Sequence, residues 1–348
     1  MPLTKLVVYH LQASLATLPT GCRDHALDSF VALAEFADGS IRLGEVTLRP
    51  GDLEVTADRL ARRFKLLGRE GLGKLASFEP AVAAPIKTCL DPTLARPLSG
   101  EVTLCPRLTW DHLAELPERI ERLAKAGHDF ARVRLTPPLD EVQAIVRVTI
   151  ELGEKLDMRF RYDAQQAFDA SGAAELIRLL DHPTTELLAQ PLPAGDWDAL
   201  ERLYKSCPIP LLADEAVRSP SDLVKAADCA DYVKLTLAKN GPPARVLEMI
   251  AQAREIGLKV ILGEETQGAI GCWLEGQIQL LANVQTPGEM TGQANLLDDH
   301  FSFLVDQTPT GFCFPKKFAW SMAEKVLEER CVAKYHITKA PAELAVAS

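Results

Sequence analysis

The chain carries no C-x-x-C pair, no H-E-x-x-H, no Lys/Arg-rich block and no run of 18 apolar residues in its 348 positions. Each absence excludes something. Eight cysteines (Cys22, Cys89, Cys105, Cys207, Cys229, Cys272, Cys313 and Cys331) are scattered with no common spacing. That pattern reads as reduced, mostly buried thiols of a cytoplasmic protein rather than a disulfide or zinc framework. The net charge of -10 and the lack of a basic block speak against nucleic acid. Nothing is long and apolar enough to span a bilayer. The opening MPLTKLVVYHLQASLATLPTGC is a poor leader, because His10 and Gln12 interrupt its apolar run and Lys5 is its one early cation. Alternation in TKLVVYH suits a first strand better. No Gly-rich phosphate loop follows any predicted strand.

What is present is a chain with 47% hydrophobic residues, ample for one large domain plus a small one. FVALAEF (30–36) and IRLGEV (41–46) flank Ala37-Asp38-Gly39-Ser40, a hairpin signal. Glu54 to Lys74 and Ser77 to Thr88 read as helices. From Glu101 the texture changes. Strands are predicted at EVTLCPRL (101–108), ARVRL (131–135), MRFRYDA (158–164), TELLAQPL (185–192), PLLADEA (210–216), DYVKLTL (231–237) and KVILGEE (259–265), with a weaker eighth in GEMTGQANL (288–296). Amphipathic segments such as EVQAIVRVTIELGEKL (141–156) and ARVLEMIAQAREIG (244–257) separate them. A period of about 25 residues repeated seven or eight times argues for a modified (β/α)8 TIM-type barrel, with a doubly wound open sheet as the alternative. The expected organisation is an N-terminal α+β capping domain over 1–97, the barrel over 98–320, and a C-terminal segment, 321–348, completing the capping domain. A barrel of this kind leaves no room for antiparallel strands beyond residue 130.

Chemistry in such a barrel sits at the C-terminal ends of the strands. Asp163 ends the third strand, Ala189 and Gln190 the fourth, and Asp214 and Glu215 the fifth. Parity puts Arg132 with Arg134, and Arg159 with Arg161 and Asp163, on shared faces, with Lys234 inward on the sixth strand. Five cations (Arg132, Arg134, Arg159, Arg161, Lys234) then face three acids (Asp163, Asp214, Glu265). Two readings stay open: an ion network that fills the barrel, or a positive pocket for an anionic substrate.

The motifs together resemble the enolase superfamily, in particular its mandelate racemase and muconate lactonizing branches. FVALAEFADGSIRLGEV, with Arg42-Leu43-Gly44-Glu45, is similar to the capping hairpin that usually ends in Gly-x-Gly-Glu. RFRYDAQQAF, LLAQPLP, LLADEAV and GEETQGAIG resemble the motifs of the third, fourth, fifth and seventh strands. The resemblance implies a racemase, epimerase, cycloisomerase or lyase working on a small carboxylate substrate through an enediolate held by Mg²⁺. It assigns Asp163 and Asp214 to the metal, with Glu215 as a further candidate. It points to Arg132, Arg134 and Lys234 as catalytic, and to Arg161, Gln190, Glu265 and Gln267 as substrate-binding.

The departures are specific. Ala189 stands where the family has its second metal-ligating glutamate, so Mg²⁺ is expected to bind weakly or not at all. Arg132-Val133-Arg134 replaces Lys-x-Lys, and a guanidinium stays protonated, so neither is a good base. Thr236 falls at the sixth-strand lysine, with Lys234 two residues earlier. Gln267 stands at the seventh-strand glutamate and Glu265 at the neighbouring methionine. Two aspartates without a metal need a nearby cation, and a second-strand guanidinium is expected beside one of them. If Lys234 points into the mouth, catalysis is favoured. If it bridges an aspartate deep in the barrel, a divergent non-catalytic or metal-independent binder of an anionic metabolite is favoured. The remaining singled-out residues are His300, Arg23 and His25, each either a mouth or capping residue or a solvated one, Gln190, read also as bonding backbone, and Trp197 and Trp273, read as core or interface. Expected partners are a small anionic substrate and further copies of the chain as a homo-oligomer, with no nucleic acid and no membrane.

Overall fold

The computed structural model describes residues 1–15, 26–48, 55–110, 112–263, 267–292, 296, 301–315 and 320–338. The strands are β1 (Leu3–Ser14), β2 (Ala26–Phe36), β3 (Ile41–Thr47), β4 (Gly100–Thr103), β5 (Phe130–Arg134), β6 (Arg159–Asp163), β7 (Thr185–Ala189), β8 (Leu211–Ala213), β9 (Tyr232–Leu235), β10 (Lys259–Leu262), β11 (Asp306–Thr308), β12 (Gly311–Phe314) and β13 (Ala333–His336).

The N-terminal unit is an antiparallel sheet in the order β13-β1-β2-β3. Alternation in β2 puts Phe30, Ala32 and Ala34 on one face and Val31 and Leu33 on the other, and both faces are buried. One face packs on the helix Ala57–Glu70 through Leu60, Phe64 and Leu67, where Phe30, Phe64 and Tyr335 form an aromatic cluster. Thr56 caps that helix by accepting the Arg59 amide. Tyr335 comes from β13, so the end of the described chain returns to the first sheet. Val31 and Leu33, on the other face, join the core shared with the barrel.

In the second unit β5 to β10 form one parallel sheet in sequence order. Two further staves close it. The Leu108 amide donates to the Arg132 carbonyl and the Arg132 amide to the Pro106 carbonyl, both at 2.8 Å. At the other edge the Glu289 amide donates to the Leu262 carbonyl (2.7 Å), and the Cys105 amide to the Gly288 carbonyl (2.7 Å). Residues 104–108 and 288–290 are thus the first and last staves of a closed α/β barrel. Helices Leu116–Lys125, Leu139–Leu156, Ala170–Leu180, Trp197–Tyr204, Pro220–Ala226, Pro243–Glu255 and Ala269–Leu281 alternate with the staves along the chain.

Three expectations need correction. The predicted strand 101–108 is divided: β4 pairs antiparallel with β12, and only the residues after it enter the barrel. Antiparallel pairing therefore does occur past residue 130, in β11, β12 and β13. These lie outside the ring of parallel staves. The fifth strand is also shorter than 210–216. Gln190 adopts a left-handed backbone (φ 37°), and its side-chain oxygen accepts the Asp214 amide, which ends the ladder after Ala213. Among the described residues no helix is long and apolar enough to cross a membrane, and all seven described cysteines are free thiols. Trp273 is core as expected, edge-on to Trp320 at 6.0 Å, and Trp197 is partly buried beneath Lys225. His300, Arg23 and His25 fall outside the described residues.

Closure depends on one glycine. Gly263 has φ 132°, and a Cβ there would lie 2.3 Å from the Met290 nitrogen and 2.4 Å from the Glu289 carbonyl carbon. Gly263→Ala is expected to destabilise the fold by about 2–4 kcal/mol, through both a disfavoured backbone and overpacking. Urea unfolding checks this; a midpoint equal to wild type would contradict the tight seam.

Candidate active site

The C-terminal half of the barrel interior holds a chain of alternating charges. Glu289, on the last stave, is its centre. Its Oε2 accepts from Arg132 Nη1 at 2.7 Å and lies 3.0 Å from Lys234 Nζ, and its Oε1 accepts from Arg161 Nη1 at 3.1 Å. Arg132 also donates Nη2 to Asp163 Oδ2 at 3.0 Å. Lys234 lies 3.5 Å from Asp214 Oδ2. Lys239 reaches the other oxygen, Oδ1, at 2.6 Å. Arg161 finishes the set on Glu186 at 2.7 Å. Parity explains the convergence: Arg132 is in register with Arg161, and β5, β6 and β9 each turn alternate residues into the ring.

Glu289, Arg132, Arg161, Lys234 and Asp163 are buried, Glu289 only 5% exposed, and Asp214, Lys239 and Glu186 are partly buried. Burial alone would drive the Glu289 carboxyl toward its neutral form. Lys234, Arg132 and Arg161 outweigh it and hold the group well below the usual carboxylate range. Burial likewise works against ionised Asp214, and Lys239, then Lys234, overcome it to lower that carboxyl. Glu215 behaves oppositely. Burial raises it, the negative charges of Asp214 and Asp163 raise it further, and its Oε2 is buried with no hydrogen-bond partner.

The sequence expectations sort as follows. Arg132 stands beside Asp163, as required of a second-strand guanidinium. Arg134 lies in Cα register with Asp163 at the end of β5 and stays half-buried. Lys234 is buried, 3.0 Å from Glu289 and 3.5 Å from Asp214. Arg161, read as substrate-binding, is spent on Glu186, Glu289 and the Pro287 carbonyl. Gln190 is likewise committed to backbone: its amide nitrogen donates to the Leu192 carbonyl and its oxygen accepts from Asp214 and Ala216. Gln267 donates to Glu275 at 2.8 Å, inside the protein. Glu265 lies outside the described residues. Arg159 is exposed, stacked over Phe130, and does not share the inner cluster. Thr236 caps the short helix Leu237–Asn240.

The expected excess of positive charge is therefore corrected. Among the described residues, four cations (Arg132, Arg161, Lys234, Lys239) meet four acids (Asp163, Glu186, Asp214, Glu289). Glu289, Glu186 and Lys239 were missed. Glu289 sits in the weakest strand signal, and its register depends on the closure that Gly263 permits. Lys239 reaches back from the loop after β9, a contact no strand parity reveals. Glu45, of the capping hairpin, accepts the Gly271 amide at 2.7 Å. It places a carboxylate at the N-terminus of helix Ala269–Leu281, a favourable dipole contact that ties the capping sheet to the barrel.

The fit to Mg²⁺ follows from the same contacts. The ion takes near-octahedral oxygen ligands, usually including one or two carboxylates. Here Asp163 Oδ2 faces a guanidinium and Oδ1 takes the Gln165 amide. Both oxygens of Asp214 face ammonium groups. Ala189, in register with Asp163, offers no donor. Among the described residues no group of three or more His, Cys, Asp or Glu side chains is arranged for a metal. The residues as placed do not fit the ion.

Removing the hub should be costly. Glu289→Gln leaves three buried cations short of one anion, and about 3–5 kcal/mol is expected. The sign with pH is fixed. A depressed carboxylate stabilises fully above the unfolded glutamate value of about 4.3 and loses that stabilisation as pH falls toward its lower folded value. The stability gap between wild type and Glu289→Gln should thus be constant from pH 7 to about 5 and narrow below about 4. Denaturant titrations across that range check it; a gap unchanged at pH 3 would contradict it.

Comparison with known proteins bears on this geometry. Residues 115–310, more than half of the chain, match the family described as enolase C-terminal domain-like. The L-Ala-D/L-amino acid epimerase of Maribacter sp. (strain HTCC2170 / KCCM 42371) is 30% identical over 159 residues, 46% of this chain and 46% of that protein. The chain spans about half the length of the curated relatives it matches. The structure of the muconate lactonizing enzyme from Pseudomonas putida superposes with a TM-score of 0.77 at 17% identity, covering 95% of this chain and 100% of that one. A dipeptide epimerase from Enterococcus faecalis V583, solved with Mg and the dipeptide L-Leu-L-Tyr, gives 0.72 at 18% identity, covering 90% and 97%. Those two likenesses establish the fold, and with the family match they lead to one conclusion: the chain belongs to the enolase superfamily, as a member of the mandelate racemase and muconate lactonizing type.

Proposed function

We propose that the barrel mouth binds a small carboxylate-bearing metabolite and does so with little or no help from Mg²⁺. The observation that carries this is the position of Lys234. Its ammonium is buried against Glu289 and Asp214. With Arg132 and Arg134 in place of two lysines, no described lysine of the second or sixth strand remains as an available base. Lys239 is committed to three oxygens, those of Asp214 and the Lys234 carbonyl. Arg134, at the end of β5, is the residue assigned to the ligand's carboxylate, for which a planar guanidinium offers paired donors. Mg²⁺ affinity is weak because Ala189 removes one anionic ligand and cations already hold the other two.

A second reading keeps isomerase chemistry, and Glu215 favours it. A buried carboxyl whose ionisation is opposed by two neighbouring aspartates is suited to carrying a proton at the mouth. The relatives named epimerases make a dipeptide the first compound class to try.

The test is a ligand screen by thermal shift, with dipeptides, N-acyl amino acids and muconate-like dicarboxylates, in EDTA and in Mg²⁺. A carboxylate ligand is expected to raise the melting temperature equally in both. Arg134→Met should weaken binding by at least about tenfold, the loss of one charged hydrogen-bonded contact. Incubation in D₂O separates the readings: no exchange of the α-proton supports a binding protein, and metal-independent exchange abolished by Glu215→Gln supports the isomerase. Exchange that requires Mg²⁺ would overturn both.

A further inference from the structure

We infer that Glu275 is a positioning residue for the barrel mouth. Its single buried carboxylate locks together the connections that follow the sixth and seventh staves, β9 and β10. The inference goes beyond the proposed ligand and does not depend on it.

A carboxylate is out of place in this helix. Ala269–Leu281 reads AIGCWLEGQIQLL, and all residues from Ala269 to Gln279 are buried. Glu275 itself is 1% exposed. An apolar side chain would fill that position without giving up the hydration of a charge. A buried carboxylate persists where donors answer its oxygens.

Here the two oxygens are answered from different connections. Oε1 accepts the Leu237 amide at 2.9 Å, and Oε2 accepts Gln267 Nε2 at 2.8 Å. Leu237 opens the turn after β9, and Gln267 lies between β10 and the helix. The turn is tied onward. Asn240 Oδ1 accepts the Thr236 amide at 2.9 Å, and Asn240 Nδ2 donates to the Val217 carbonyl at 3.0 Å, beyond the fifth stave. Any shift of Leu237 would therefore strain Thr236, Asn240 and Val217 with it. Gln267 is bounded on its other side. A Cβ at Gly271 would lie 2.6 Å from Gln267 Oε1 and 2.9 Å from Glu45 Oε2. Gly271 leaves the space in which the amide of the seventh connection meets the carboxylate of the capping hairpin, and its own amide donates to that carboxylate at 2.7 Å. Glu275 thus stands where the fifth, sixth and seventh connections join the capping sheet.

The pair also fixes which partner carries the charge. Gln267 supplies the N–H that Oε2 needs. A glutamate at 267 would set two carboxylates in contact, and one would be driven toward protonation.

The test is native-state amide hydrogen exchange on the full chain at pH 7, without ligand. Four proteins are compared: wild type, Glu275→Met, Gln267→Glu, and the Gln267→Glu/Glu275→Gln double variant. Each single variant is expected to speed exchange at the Leu237 and Gly271 amides by at least about tenfold, the loss of a charge-assisted hydrogen bond. The double variant exchanges carboxylate and amide within the pair and leaves an oxygen for the Leu237 N–H. Its rates are expected to return to within about threefold of wild type. Amides of the remote helix Ala57–Glu70 should keep wild-type rates in all four. If Glu275→Met speeds exchange equally in that helix, or leaves Leu237 and Gly271 unchanged, Glu275 only fills the core and the inference falls. Should Glu275→Met fail to fold, the other two variants decide: no acceleration in Gln267→Glu, or no recovery in the double variant, would contradict the tie. A wild type that binds no carboxylate in the ligand screen would end the proposed function and leave these rates as they are.

Discussion

The site is organised by the meeting of one carboxylate with three fixed cations. Glu289 stands on the stave that closes the barrel, and Arg132, Arg161 and Lys234 reach it from three other staves. Such a cluster is stable only if each buried charge is answered. That requirement sets the rest. It ties Arg161 down to Glu186, holds Lys234 between Glu289 and Asp214, and leaves Arg132 with one arm for Asp163. The polar interior is thus a specified network, and its registry depends on Gly263 letting the final stave approach.

On the proposed reading, the missing ligand at Ala189 and the cations beside Asp163 and Asp214 are two sides of one change. A carboxylate deleted without compensation would leave a dication underbound. A cation added without deletion would compete with that dication. On that reading the ion pairs of Asp163 and Asp214 stand in the place of a metal centre. The capping sheet remains docked through Glu45 on the Gly271 amide, so the architecture above the mouth is kept. Conserving the frame while replacing the charges fits a protein that still receives a small ligand there.

Much of this was legible beforehand, for physical reasons. The βα period and the Asp-Gly hairpin are local signals, and they located the barrel and the capping sheet. Strand-end positions follow from the strand signals, so Asp163, Asp214 and Glu215 could be read directly, and the departure at Ala189 followed from the family resemblance. A guanidinium beside Asp163 followed from charge balance. What failed was whatever depended on closure or on loops. Glu289 needs the last stave's register, which its short, weakly patterned sequence does not disclose. Lys239 acts from a turn built by Thr236 and Asn240, so its reach is a matter of turn geometry rather than periodicity. The family resemblance made Gln190 and Gln267 candidates for a ligand, while Gln190 was also read as bonding backbone. Both instead satisfy buried groups, Gln190 on backbone and Gln267 on Glu275. The first strand was read as one unit, yet its leading residues belong to the β12 ladder, since edge pairing leaves no mark on the sequence.

The most direct measurement is a crystal structure of the wild-type protein grown in a large excess of Mg²⁺ at neutral pH. The account predicts Lys239 Nζ seated on Asp214, Arg132 seated between Asp163 and Glu289, and no ion shared by Asp163 and Asp214. An octahedral Mg²⁺ bound by both aspartates, with Lys239 swung away, would contradict it.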